Sequence, residues 1–308
     1  MTAPYPGSLG VGSVHGYQVH AAFPCRFLRA GDIGDRLQVR ETHRPPHVVG
    51  EPLLEWSPRP LREFAAKLFA IERRYVYWTS NEGWFEIDPD EGVITVTPPT
   101  DAVRREARLW GVPSLLCYVT RGDLPLHAAA VDVGGRALLL AGPSRSGKTT
   151  TAAGFLAAGH RILAEDLTAC RPGTPPALLP GPAMLRLRPD VYPLLHLENA
   201  SLVAEDAERV HLMLDGDARG DGAAVPLAGI VFLRPGDGEP TLHRRAPRDT
   251  LRDLWALSLN LPTEEDRARC FRGVASLAAS VPAWNLDRRL TPDALDGVVE
   301  TVISTCLT

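Results

Sequence analysis

The chain has 308 residues, 44% of them hydrophobic, and a formal net charge of −4. That length suits one large domain or two ordinary ones, and the composition excludes a disordered chain. The acidic balance, without any basic run, argues against nucleic acid and anionic membrane as partners.

No run of 18 apolar residues predicts a membrane-crossing helix. The opening MTAPYPGSLGVGSVHGYQVH has no basic n-region and no apolar h-region, so no signal peptide is read and a cytoplasmic location is expected. Five scattered cysteines (Cys25, Cys117, Cys170, Cys270 and Cys306) form no CxxC pair. They read as reduced thiols, with no zinc site.

Short strands are expected at 17–23 (YQVHAAF) and 36–41 (RLQVRE), broken by RPPH and SPRP. LREFAAKLFAIERR (61–74) has apolar residues at helical spacing and predicts a short helix. YVYWTS (75–80) predicts a strand, and 84–98 a pair joined at DPDEG. Residues 101–122 predict a helix interrupted near Gly111–Pro113, and RGDLP (121–125) marks a boundary. LHAAAVDV (126–133) and RALLLA (136–141) form a hairpin around Gly134–Gly135. TTTAAGFLAAG (149–159) is a helix closed by Gly159, and RILAED (161–166) a buried strand ending in two carboxylates. GTPPALLPGPA (173–183) reads as a turn region, followed by a strand in MLRLRPD. The segments 209–214, 225–234 and 240–245 read as an antiparallel set, and three helices near 247–260, 263–280 and 291–306 complete the chain.

Residues 141–150, AGPSRSGKTT, satisfy the spacing G-x-x-x-x-G-K-[ST] through Gly142, Gly147, Lys148 and Thr149. That spacing lets the backbone N–H groups of Ser144, Arg145, Ser146, Gly147 and Thr150 curl around phosphate oxygens at a helix N-terminus, with Pro143 in the same loop shaping its path. Lys148 would neutralise the terminal phosphates, and Thr149 would hold Mg²⁺ through its hydroxyl. Only two of the 33 basic residues are lysines, Lys67 and Lys148. A lysine kept inside the loop of so arginine-rich a chain points to phosphate, where a compact ammonium fits and a planar guanidinium does not.

Glu165 and Asp166 follow at the strand end. One of the two carboxylates would hold the metal with Thr149, and the second, surplus to metal binding, would take a proton from an attacking hydroxyl. Glu165 could equally point to the opposite face of its strand. His127 lies in the strand before the hairpin, next to the loop if the two strands pair. An antiparallel hairpin leading into the loop predicts a mixed, mainly antiparallel sheet, an α/β chain of α+β character.

On LHAAAV, AGPSRSGKTT, RILAED, LRLRP and VPLAGIVFLRPGDGEPTLHRR, residues 121–260 resemble the HPr kinase/phosphorylase family, in particular its HPr-kinase-like relatives. The resemblance implies a P-loop domain similar to phosphoenolpyruvate carboxykinase over 121–308. Residues 1–120 do not match the HPr enzyme's own N-terminal domain and are expected to form an additional α+β domain, for which acceptor recognition is one open reading. The resemblance also implies ATP and Mg²⁺ as cofactors, with His127, Lys148, Glu165 and Asp166 as catalytic residues, Glu165 acting on the acceptor hydroxyl and Asp166 standing with the metal. The family's Glu-x-Arg-Gly signature corresponds to MLRLRPD, where Arg186 or Arg188 matches the arginine while the glutamate and glycine are missing. That departure speaks against HPr as substrate. Relatives of this size accompany ribosomal peptide natural products, including lasso peptides, and phosphorylate serine on a precursor peptide. The expected activity is transfer of the γ-phosphoryl of ATP to a Ser/Thr hydroxyl of a peptide or small protein. The alternatives are a small-molecule hydroxyl kinase and a non-transferring ATP-binding switch. HPr kinases form hexamers, a state not carried over here because the N-terminal residues do not match; a homo-oligomer stays an open expectation. Two further features have ordinary readings beside functional ones: the basic group His243, Arg244, Arg245 and Arg248 as an acceptor clamp, and DGDARGDG (215–222) as a lid.

Overall fold

The computed structural model describes residues 10–32, 34–56, 65–259 and 261–307. The chain divides into two compact units, residues 1–121 and 122–308. It is a mixed α+β fold with several sheets. Among the described residues no helix is long and apolar enough to cross a membrane, and all five thiols are free.

In the first unit the strands are β1 (Val11–Val14), β2 (Tyr17–Ala21), β3 (Asp35–Glu41), β4 (Leu54–Trp56), β5 (Ala66–Ile71), β6 (Arg74–Thr79), β7 (Gly83–Asp88) and β8 (Val93–Val96). They form one sheet in the order β1-β2-β3-β8-β7-β6-β5-β4. Alternate residues such as Leu37, Val39, Phe85, Ile87, Ile94 and Val96 are fully buried, the period of two expected of a sheet with one covered face. Helices α1 (Ala102–Leu109) and α2 (Val112–Thr120) follow, separated at Gly111 as the sequence suggests. Asp101 caps α1, accepting from the amides of Val103 and Arg104.

The helix expected over 61–74 is not formed. Residues 61–64 lie outside the described residues, and 66–71 are strand β5. Ala66 and Leu68 are buried while Lys67 and Phe69 are half-buried. Pairing with β6 across a two-residue turn, with Glu72 at φ 58°, overrides the local helical spacing.

The second unit opens with β9 (Leu124–Leu126), β10 (Ala129–Val133) and β11 (Arg136–Ala141). The strand expected over 126–133 is thus split, with His127 and Ala128 between its halves. Gly134 and Gly135, at φ 60° and 82°, make the tight turn that sets Val133 opposite Arg136. Next come α3 (Lys148–Ala157), β12 (Arg161–Ala164), β13 (Thr168–Arg171), β14 (Ala177–Leu179) and β15 (Met184–Leu187). They are followed by β16 (Ala200–Glu205), β17 (Val210–Leu214), the one-turn α4 (Gly216–Arg219), β18 (Val225–Pro235) and β19 (Thr241–Arg244). The unit ends with α5 (Pro247–Leu257), α6 (Glu264–Ser280), β20 (Ala283–Arg288) and α7 (Leu295–Cys306).

The main sheet runs β12-β10-β11-β18-β14-β13-β9, with β20 beside β18 and β19 beside β20. Its pairings are antiparallel except that β18 runs parallel to β11 and to β20. This corrects the expected antiparallel set: β17 belongs to a separate sheet, β15-β17-β16, and β18 is a central strand buried on both faces. A long apolar strand of that kind takes parallel neighbours because both its faces are covered. Val231 and Leu233 join Phe155, Leu212, Leu286, Val298 and Val302 in the core under α3 and α7. Phe232 faces the other side, where Arg245 lies over its ring at 4.0 Å. Ala218 of α4 is buried in the α3 core, so DGDARGDG is anchored there and is no free lid.

Candidate functional site

The phosphate loop leaves the C-terminal end of β11, a strand fully buried from Ala137 to Ala141. Its path depends on glycine at two points. Gly142 has φ 153° and Gly147 φ 82°, and an added Cβ would meet Ser146 Oγ at 2.6 Å and Arg288 Nη2 at 2.8 Å respectively. Arg145 also has positive φ, 67°, at the loop tip. Helix α3 starts directly from Gly147 with no side-chain cap, so its first N–H groups are left for a ligand. The hydroxyl of Ser146 is buried without a hydrogen-bond partner. These orphan donors are what a phosphate chain satisfies, and the loop therefore fits a nucleotide. Thr149 and Thr150 lie half-buried in the first turn of α3, and Ser144 and Arg145 are exposed.

Lys148 is buried, and its ammonium donates to the carbonyls of Gly142 at 2.9 Å and Pro143 at 3.2 Å. Burial lowers its pKa, with Asp166 pulling the other way. The lysine thus folds back over the start of the loop.

Glu165 and Asp166 follow directly after β12 and have different surroundings. The Glu165 side chain is 5% exposed. One of its oxygens is bound by Arg186 Nε and the other accepts from the Arg186 amide at 3.1 Å. Burial raises its pKa against the opposing charge of Arg186. Asp166 is 42% exposed, with His127 Nε2 at 3.4 Å from one oxygen and Arg186 Nη2 at 3.5 Å from the other. Burial would raise the Asp166 carboxyl, but Arg186, His127, Lys148 and Arg209 together hold it below the usual range. His127 is half-buried and its pKa is lowered by that burial, so the ring is neutral at pH 7.

The site residues expected from sequence thus fall into two groups. Lys148, Asp166, His127 and Arg186 converge at one end of the loop, with Glu165 behind them. Glu165 is not placed to meet an acceptor hydroxyl: both its oxygens are occupied and the group is buried. Arg188 is not part of the cluster, since it forms an exposed pair with Asp190. The basic group also disperses. His243 lies 3.7 Å from Asp287, Arg244 stacks over Trp284, and Arg245 is buried in a pair with Asp253 at 2.6 Å.

Arg288 has a place that sequence reading did not find. It is 3% exposed, at the end of β20. Its Nη2 donates to the Ser146 carbonyl and to Thr151 Oγ1, both at 2.9 Å, and so holds the loop from beneath. No carboxylate lies within ion-pair reach of it among the described residues, and burial lowers its pKa to about 10. Nothing local in VPAWNLDRR signals that contact, because its partner lies 142 positions away in sequence.

A cavity of about 830 Å³ adjoins the site. Its lining includes His127, Gly142 and Pro143 from the site, Phe232 and Arg234 from β18, and Leu257 from α5. It lies outside the C-terminal ends of the parallel strands β11, β18 and β20, where open sheets place their ligands.

No protein-family model matches the chain, and no curated protein matches it. Among solved structures it is similar to the Hpr(Ser) kinase/phosphatase from Coxiella burnetii, at 10% identity over 57% of this chain and 93% of that one, with a TM-score of 0.29. That likeness is loose, and the chemistry below rests on the site's own geometry.

Proposed function

We propose that the chain is an ATP-dependent kinase that transfers the γ-phosphoryl group to a Ser/Thr hydroxyl of a peptide or small protein, a ribosomal natural-product precursor peptide being the favoured class. The observation that carries this reading is the convergence of Lys148, Asp166 and His127 at one end of the loop, where His127 also lines the cavity. A cavity of acceptor size beside the loop favours transfer over a switch that only binds nucleotide.

Each residue has a task on this reading. The loop amides and the α3 N-terminus hold the phosphates, and Lys148 meets the charge of the terminal ones. Thr149 and Asp166 suit Mg²⁺, which commonly takes one or two protein ligands and completes its shell with phosphate oxygens and water. When bound, the metal would neutralise charge on the phosphates. Asp166 is ionised at neutral pH because its carboxyl is held low, so it can take the acceptor's proton. In that step the acceptor oxygen forms a bond to the γ-phosphorus, the bond to the bridging oxygen breaks, and ADP departs. Neutral His127 orients Asp166. Arg186 ties Asp166 to the buried Glu165, which holds the arginine in place. Free thiols and ATP use fit a cytoplasmic setting.

The test is incubation with γ-labelled ATP and three acceptor pools: serine-containing peptides, small hydroxyl metabolites and water alone. Label in peptide supports the proposal. Label confined to a small metabolite replaces the acceptor class, and label only in free phosphate removes the transferase reading.

A further inference from the structure

The geometry points to the cavity beside the phosphate loop as the acceptor pocket, built for a hydroxyl-bearing acceptor that carries a carboxylate next to an apolar group. This rests on the kinase reading above. The position comes first. The lysine of such a loop reaches the terminal phosphates. Here Lys148 Nζ lies against the carbonyls of Gly142 and Pro143, and those two residues line the cavity. The cavity therefore opens on the transferred-phosphate end. His127, which holds Asp166, lines it too.

The lining sets the chemistry. Phe232, Ala256, Leu257 and Leu259 give an apolar wall. Arg234 stands two residues beyond Phe232 on β18, hence on the same face, and it is exposed with no ion pair among the described residues. Arg245 is 7% exposed; its Nη atoms serve Asn285, the Asp249 carbonyl and Asp253, and its Nε has no partner. Of the acids in the lining, Asp253 is bound by Arg245 and Arg252, while Asp287, opposite Arg234 on β20, has His243 at 3.7 Å, beyond hydrogen-bonding distance. What stays unmatched is one whole guanidinium and one buried N–H donor. An arginine fork is the natural partner of a carboxylate. The volume of about 830 Å³ suits a compact molecule or one or two residues of a peptide, not a folded surface.

The experiment uses the full chain with Mg-ADP and three probes: N-acetyl-seryl-leucine with a free carboxylate, its carboxamide, and N-acetyl-seryl-lysinamide. Calorimetry reads binding, and γ-labelled ATP reads transfer. The free carboxylate is expected to bind at least about tenfold tighter than the carboxamide, the gain of one charge-assisted contact. Arg234→Gln is expected to erase that difference, and Ala256→Trp to weaken all three probes, with Mg-ATP affinity held within about twofold in both. Equal binding of the carboxamide or the lysinamide, persistence of the preference in Arg234→Gln, or no binding of any probe at about 10 mM overturns the proposal. Failure of the kinase reading is seen separately: wild type would not bind Mg-ATP, or Lys148→Ala would bind it equally well, whatever the probes do in the cavity.

Discussion

Arg186→Met is the most informative single change, because Arg186 serves both carboxylates. Glu165 is buried, and the Arg186 guanidinium is the charge that opposes the rise of its pKa. Removing one partner of a buried pair leaves the other uncompensated, which costs about 3–5 kcal/mol. The loss depends on pH, with a sign fixed by the direction of the shift. Burial already raises the Glu165 pKa, and without Arg186 that effect is unopposed. A carboxyl raised in the folded state adds stability below its ordinary range and loses it as pH rises through the folded value. The Arg186→Met deficit should therefore be small near pH 4 and grow towards pH 8. Urea unfolding of wild type, Arg186→Met, Glu165→Gln and the double variant closes the cycle. Glu165→Gln should restore most of the loss, with coupling of at least about 1 kcal/mol. Additive single effects, or a deficit independent of pH, would refute the view that the pair is coupled and that Arg186 keeps Glu165 ionised.

Further outcomes follow from the site. Lys148→Ala should cut transfer by about 10²–10³ while circular dichroism stays unchanged, since one preorganised contact to developing phosphate charge is worth about that much. Asp166→Asn should lower single-turnover transfer by about 10²–10⁴ and weaken Mg-ATP binding, whereas Glu165→Gln should retain transfer within about tenfold. The reverse order would return the proton-accepting role to Glu165. Because Asp166 is held low, its contribution to stability should be present above the ordinary aspartate range and fade as pH falls through its folded value, a trend that Asp166→Asn removes in acid titration of wild type and variant.

The loop was legible because its chemistry is contiguous: two glycines, a lysine and a threonine at fixed spacing specify the turn, the charge and the helix start. The hairpin before it was legible for the same reason, since Gly134–Gly135 fixes a two-residue turn. The roles of Glu165 and Asp166 were not. Adjacent residues after a strand end differ in role only by what covers them, and here the cover is Arg186, 21 positions later. The partners of β18 were hidden likewise. Its run VPLAGIVFL says that both faces are buried but not that β11 and β20 lie alongside in parallel. Strand β20 escaped notice because AWNLDR mixes polar and apolar residues, and its buried arginine belongs to a contact with the distant loop.

That arginine leads to the last prediction. Arg288 sits under the loop with its charge unpaired among the described residues, an arrangement that costs stability in the free protein. The cost is offset when anionic phosphates occupy the loop above it. At an effective dielectric of about 20 and a separation of about 8 Å, one unit of facing charge is worth roughly 2 kcal/mol, so about tenfold in affinity is expected after screening. Arg288→Met keeps the aliphatic stem and removes the charge. The free variant should unfold no more easily than wild type, while its affinity for ADP falls about tenfold and its affinity for adenosine is unchanged. The wild-type affinity for ADP should also weaken more steeply with added salt than that of the variant. Equal loss of ADP and adenosine binding would mean that the side chain merely shapes the loop, through its bonds to Ser146 and Thr151. An unchanged ADP affinity would mean that its charge does not reach the phosphates at all.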